Sequence, residues 1–294
     1  MDDQYHLDLC LKWLYRAQQV TKDGGVSAIY EADKKIWRRS YPETTGYIIP
    51  TFLNYYKYFK VHALPSKDLP VHGFSTEINN LPNCFQRFKE EEMTKCYDTF
   101  KKHFYDSIFL DKEELKKYSI KEALEKDDEK SDLYYLEFGV GAGGSINLLS
   151  KLLDEKKRSI YGFDSFVGLK EDWKGHVLFP KGGLSQNNVL PKTRNNVELI
   201  SGWIQDTLPP FLESKNPKIN FLHVDVDTYE TTKFILNNTK KYLTKNCVIV
   251  FDDFYNFAGW SVGEYKGLIE EFKEDEYKYI AFSLNKGNAA IQLK

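Results

Sequence analysis

The sequence predicts an α/β protein: a mostly parallel, seven-stranded sheet ending in an antiparallel pair, preceded by a small helical module. Three observations predict it. Short apolar runs alternate with helix-patterned segments through the C-terminal half, a glycine-rich turn follows the first strong run, and only NKGN separates the last two runs. Alternation of this kind builds right-handed βαβ units, which lay their strands parallel. A four-residue turn leaves room only for an antiparallel partner.

Bulk properties bound the reading. With 294 residues, 41% of them hydrophobic and 29% charged, the chain has the composition of a folded protein with a sizeable core. Its length suits one large domain and a smaller one, at about 150 residues per domain. Lys and Arg number 41 against 43 Asp and Glu, a net charge of -2. That balance gives no electrostatic reason to expect nucleic acid or an anionic membrane as partner. A small, weakly charged molecule is expected instead. Cys10, Cys84, Cys96 and Cys247 are scattered, with no C-x-x-C pair or zinc-ligand spacing, and read as reduced thiols. The opening MDDQYHLDLC lacks a signal-peptide pattern and no apolar run approaches about 18 residues, so a cytoplasmic protein is expected. A homo-oligomer is left open.

From Leu7 to Val20, apolar residues at helical spacing (Leu7, Leu11, Leu14) predict an amphipathic helix, which KDGG stops. A loop through Ser40, Tyr41 and Pro42 leads to an aromatic-rich helix from Thr44 or Thr45 to about Phe59. The helical module is therefore set at residues 1–64 and a Pro-punctuated linker at 65–84. Residues 85–294 form the main domain, with a helical lead-in over 85–131, closed by the charged run EKDDEKSD, and a core over 132–294. Within that core the strand-like runs are Leu133–Phe138, Ser159–Phe163, Val197–Ser201, Ile219–Val224, Cys247–Phe251, Tyr277–Leu284 and Ala289–Leu293.

The turn LEFGVGAGGS sets Gly139, Gly141, Gly143 and Gly144 between a strand and a helix starting near Ser145. Gly139, Gly141 and Gly144 match the dinucleotide fingerprint, with Asp164 at the tip of the next strand, so a nicotinamide dinucleotide has to be weighed. Charge separates the candidates. A pyrophosphate disfavours a neighbouring carboxylate, whereas S-adenosylmethionine carries an ammonium and a sulfonium and no phosphate. Glu137, two residues before the first glycine, therefore favours the methyl donor. Asp164 is placed to accept ribose hydroxyls, and Trp203, in LISGWIQDTLP, to lie against an adenine or to fill core.

FLHVDVDTYETT puts Asp225 and Asp227 at the end of the fourth run, and IVFDDF puts Asp252 and Asp253 at the end of the fifth. Ligands bind at this edge of an open parallel sheet. If the strand continues, Asp225 and Asp227 point the same way, and two carboxylates about 4 Å apart repel by roughly 4 kcal/mol. A divalent cation with all-oxygen ligation, Mg²⁺ or Mn²⁺, is the simplest offset; proton sharing or helix capping by Asp252 is the alternative. His223, within the strand, is expected to be packed or hydrogen-bonded rather than a ligand.

The ordered motifs LEFGVGAGGS, YGFDSFVGL, LISGWIQDTLP, FLHVDVDTYETT and IVFDDFYNFAGW resemble the macrocin O-methyltransferase family over about Leu133 to Leu293. The resemblance implies a Rossmann-like class I methyltransferase acting on a hydroxyl of a sugar or glycoside. It implies a donor site for S-adenosylmethionine at Glu137, Gly139, Gly141, Ser145, Asp164, Ser165 and Trp203. It also implies Mg²⁺ on Asp225, Asp252 and Asp253, similar to catechol O-methyltransferase. Where that enzyme has a lysine base three residues after its first metal aspartate, this chain has Thr228, so Asp225 or Asp227 is left to take the proton. The alternatives are a methyltransferase-like binding module without chemistry and an NAD-dependent nucleotide-sugar oxidoreductase. WLYRAQ, KDGGVSAIY and SYPETTGYIIPT resemble the opening hairpin of carbohydrate-linked α/α-toroid proteins, a fragment suited to docking or covering a site.

Overall fold

A computed structural model describes residues 84–125, 127, 131–174, 180–284 and 286–294, together with 30–31 and 36–37. The chain divides into two units, Met1–Asn80 and Leu81–Lys294. In the first, Tyr30–Glu31 (β1) pairs antiparallel with Ile36–Trp37 (β2), inside the stretch expected to be loop. The two helices expected there, the linker at 65–83 and Cys10 lie outside the described residues.

The second unit opens with α1 (Cys84–Phe104), β3 (Ile108–Leu110) and α2 (Lys112–Glu125). The expected strands follow as β4 (Leu133–Phe138), β5 (Ile160–Asp164), β6 (Val197–Ser201), β7 (Lys218–Val224), β8 (Leu243–Phe251), β9 (Tyr277–Ser283) and β10 (Ala289–Leu293). Between them run α3 (Gly144–Asp154), α4 (Ile204–Lys215), α5 (Tyr229–Thr239) and α6 (Glu264–Glu271).

These strands form one sheet in the order β3-β9-β10-β8-β7-β4-β5-β6. The block from β8 to β6 is parallel, and β10 alone runs against its neighbours β8 and β9, as the turn between the last two runs predicts. The sheet has eight strands rather than seven. The lead-in was expected to be helical throughout, but Tyr105 to Ser107 breaks the helix and the short run IFL adds β3 beside β9. Three residues are too few for the pattern of alternation that marks a strand in sequence.

Helices cover both faces, which explains why the central strands read as continuous apolar runs. Successive residues of β8 separate by period two: Ile249 and Phe251 join one core with Phe100, Leu208, Ile235 and Leu268, while Val248 and Val250 join the other with Leu115, Ile120, Ile146 and Leu149. The lead-in is part of the first core. Phe100 lies 5.4 Å from Trp260, 5.3 Å from Tyr265 and 5.8 Å from Phe282 between ring centroids, so α1 is fastened to the sheet by edge-to-face aromatic contacts. No helix among the described residues is long and apolar enough to cross a membrane.

Candidate active site

The carboxyl ends of β4, β5, β7 and β8 meet at one edge of the sheet. There Gly139 N–H donates to Phe163 O and Asp225 N–H donates to Phe138 O, both at 2.9 Å, which ties the loops after three strands together. Gly139 has φ of 87°, and a Cβ on it would stand 1.7 Å from the Asp225 carbonyl oxygen. Only glycine fits so close an approach. Gly141, at φ 51°, has nothing within 4 Å of where its Cβ would be, and so leaves open space above the loop.

That space is a cavity of about 870 Å³, within the range that holds a drug-sized ligand. Gly139, Gly141, Ser145, Asp164, Ser165 and Trp203 line it on one side, and Asp225 and Asp227 on another. Asp164, the last residue of β5, accepts Gly141 N–H on Oδ2 and Phe166 N–H on Oδ1, each at 2.7 Å. Each carboxylate oxygen offers about two acceptor sites, so capacity for a diol remains. Ser165 Oγ donates to Gly168 O at 3.2 Å, and Lys170 Nζ stands 5.5 Å from the centre of the Trp203 ring.

Glu137 is placed differently from its neighbours. It is wholly buried, does not line the cavity, and accepts Ser145 Oγ–H at 2.8 Å on Oε1. Its carboxyl reaches the cavity wall only through Ser145.

On the acidic side, β7 ends at Val224 and does not continue through Asp227, which adopts a left-handed backbone with φ of 61°. Asp225 and Asp227 therefore do not share a strand face; the turn brings them together instead. Among the described residues, two groups gather three ligand atoms within 4.8 Å of one another: Asp225 with Asp227 and Asp253, and Asp225 with His223 and Asp252. The expected set of Asp225, Asp252 and Asp253 is thus divided between two groups. Asp252 has partners of its own. Lys112 Nζ stands 2.6 Å from its Oδ2, Lys116 Nζ 3.0 Å from its Oδ1, and Asn288 Nδ2 donates to Oδ1 at 2.8 Å.

The proton affinities follow from this layout. Burial and then Asp252 push Asp225 up to about 7, while burial and then Asp253 and Asp225 push Asp227 up to about 9. Burial would raise Asp252 too, but the close approach of His223 and the charges of Lys116 and Lys112 outweigh it and hold the carboxyl well below the usual range. Glu264, the first residue of α6, is wholly buried and raised well above an ordinary glutamate by burial and by Asp253, whose N–H donates to its Oε2 at 2.9 Å. Burial and Lys116 lower His223, but Asp252 and Glu137 raise it further, so its affinity for a proton is net increased.

Lys112, Lys116, Glu264 and Asn288 escape a reading of the sequence. Lys112 and Lys116 are four apart on α2, a spacing that marks one helix face. Nothing in sequence says that this face meets residue 252.

Residues 136–254 match the profile of a methyltransferase domain. The chain is 31% identical over 147 residues to uncharacterized protein R132 of Acanthamoeba polyphaga mimivirus, covering 49% of this chain and 61% of that protein. It spans about three fifths of that curated relative's length. Among solved structures it is similar to CalS11, the calicheamicin methyltransferase, with a TM-score of 0.51 and 18% identity over 87% of this chain and 94% of that one. An apo structure of CalS11, named as a TDP-rhamnose 3'-O-methyltransferase, gives a TM-score of 0.46 and 20% identity over 69% and 86%. The likeness to CalS11 is one of fold: the scaffold is Rossmann-like, and residues 136–254 of it carry the sequence pattern of a methyltransferase domain.

Proposed function

We propose that the chain is an S-adenosylmethionine-dependent O-methyltransferase, assisted by a divalent cation and acting on a sugar or glycoside hydroxyl. One observation carries the reading: a glycine-rich loop with a ribose-type aspartate and a cluster of aspartates line the same cavity. The first side suits a nucleoside with a cationic tail. The second suits a cation and a hydroxyl about to lose its proton. CalS11, whose fold the chain shares, is named as acting on a TDP-sugar, and the motif resemblance supports the same acceptor class.

On the donor side, Asp164 accepts the ribose hydroxyls, Gly139 and Gly141 let the backbone approach, Ser145 and Ser165 supply polar contacts, and Trp203 offers a ring face to the base. Glu137 keeps the local potential negative beneath the donor's positive end, acting through Ser145 rather than by contact. On the acceptor side, the oxygens of Asp225, Asp227 and Asp253 fit a hard cation by donor type and spacing. The raised proton affinities of Asp225 and Asp227 come first from burial and then from neighbouring carboxylates, a repulsion that a bound cation would relieve. Asp225 and Asp253, common to the expected set and this group, would hold the ion, while Asp252 stays with Lys112 and Lys116. When bound, Mg²⁺ or Mn²⁺ would lower the pKa of a hydroxyl beside it. Asp227 is then the proton acceptor, since its carboxylate stands beside Asp225 and Asp253 and lines the cavity. Holding the two substrates in line supplies much of the rate, since orientation is worth roughly 7 to 11 kcal/mol.

Calorimetry on the full chain tests the donor half. S-adenosylhomocysteine should bind and NAD should not, and Asp164→Ala should weaken the former at least about tenfold, one charged hydrogen bond being worth about 1.5 to 3 kcal/mol. Tight binding of NAD would transfer the chain to the oxidoreductase reading.

A further inference from the structure

His223, the last residue but one of β7, is paired with Glu137 on β4 and with Val250 on β8. Its neighbours along the strand, Phe221, Leu222 and Val224, are buried apolar residues, and an aliphatic side chain would fill the same place without a polar atom. Instead a wholly buried imidazole sits between two acids. Nδ1 is 3.1 Å from Glu137 Oε2 and Nε2 is 3.6 Å from Asp252 Oδ1. Neither nitrogen makes a well-formed hydrogen bond, so these are close polar contacts.

The contacts continue in both directions. Glu137 accepts Ser145 Oγ–H at 2.8 Å, and Asp252 meets Lys112 Nζ at 2.6 Å. Ser145 and Lys112 both line the cavity, whereas Glu137, His223 and Asp252 do not. A buried thread thus passes beneath the cavity floor and surfaces at two walls: at the glycine loop, and at the start of α2 beside the aspartates.

We propose that His223 is a positioning residue that fixes Glu137 and Asp252 relative to each other, and through them couples Ser145 on the donor side to Lys112 on the acceptor side. It touches neither ligand. A buried polar group left without its partner shifts or draws in water, because its desolvation is no longer offset. Loss of the imidazole would leave Glu137 Oε2 without its contact and Asp252 held only from the side of α2 and Asn288, so the two acids would no longer be fixed relative to each other. The inference rests on the donor reading above, since its readout is donor-product binding.

A double-mutant cycle on the full chain tests it, with S-adenosylhomocysteine affinity measured by calorimetry and melting temperature followed on the same samples. His223→Asn should weaken binding about tenfold, the scale of one lost charged contact. Lys112→Met should weaken it about threefold in the wild-type background and have no further effect in His223→Asn, since residues of one network are non-additive. If Lys112→Met has the same effect in both backgrounds, or none in the wild type, the thread carries no coupling and the proposal is overturned. Should His223→Asn fail to fold, Glu137→Gln replaces it, removing the charge on the other side of the same contact, with the same expectation for Lys112→Met. If the wild-type chain itself does not bind S-adenosylhomocysteine, the donor reading fails first.

Discussion

Asp225 shows how much of a site's chemistry a single position can carry. Its type and place were legible in sequence, because an acid directly after a buried apolar run in an α/β chain falls at the ligand edge of the sheet. Its energetics were not, since they depend on Asp252 and on burial. An acid whose folded pKa lies above its unfolded value contributes stability below the unfolded value and loses it as pH rises to the folded one. For Asp225 that window runs from 3.8 to about 7, and for Asp227 from 3.8 to about 9. Asp252, depressed by His223 and the lysines, acts in the opposite sense and loses its contribution only in strong acid. In metal-free solution Asp225→Asn should therefore be more stable than wild type at pH about 8, by on the order of 1 to 3 kcal/mol, with the advantage fading toward pH about 4. Urea denaturation across that range checks it. A variant no more stable than wild type at the upper end would mean that the acid's charge is already offset in the fold.

At the scale of elements, the seven expected strands are present to within a few residues because each is a long apolar run with its own punctuation, and burial on both faces leaves no other use for such runs. The eighth strand and the role of α2 were not legible. β3 is three residues long, and the cavity-facing turn of α2 carries lysines that look like an ordinary solvated face until residue 252 is brought to it. The two lysines also differ. Lys116 is 5% exposed at its side chain and Lys112 41%, although both pair with Asp252. Removing one partner of a buried pair costs roughly 3 to 5 kcal/mol, whereas an exposed pair is worth about 0 to 1 kcal/mol. Lys116→Met should accordingly destabilise by about 3 kcal/mol, at the low end of that range because Lys112 and Asn288 stay on the carboxylate, and Lys112→Met by under about 1 kcal/mol. Chemical denaturation measures both. Equal losses would mean that Lys116 is held by packing of its stem rather than by its charge. Adding Asp252→Asn to Lys116→Met should recover part of the loss, since no buried charge is then left without its partner.

For the whole molecule, the question is what the proposed donor site needs. Both described cores, all eight strands of the main sheet and every cavity-lining residue fall within the unit Leu81–Lys294. A compact unit with its own core can fold by itself, and boundaries between units fall where few contacts cross. The lead-in belongs with this unit despite its distance in sequence from the strands: Phe100 of α1 and Leu115 of α2 are fully buried, one in each core, so a cut after them would open both faces of the sheet. A cut at the expected module boundary, well before α1, spares them. Deleting Met1 to Leu64 should leave a soluble protein that unfolds cooperatively and binds S-adenosylhomocysteine within about threefold of the full chain, while acceptor turnover is free to fall if the removed module helps to seat a glycan. Circular dichroism during thermal unfolding and calorimetry with the donor product measure the two parts separately. If the shortened chain aggregates or loses the donor product while the full chain binds it, the first unit completes the second one's core and the boundary is misplaced.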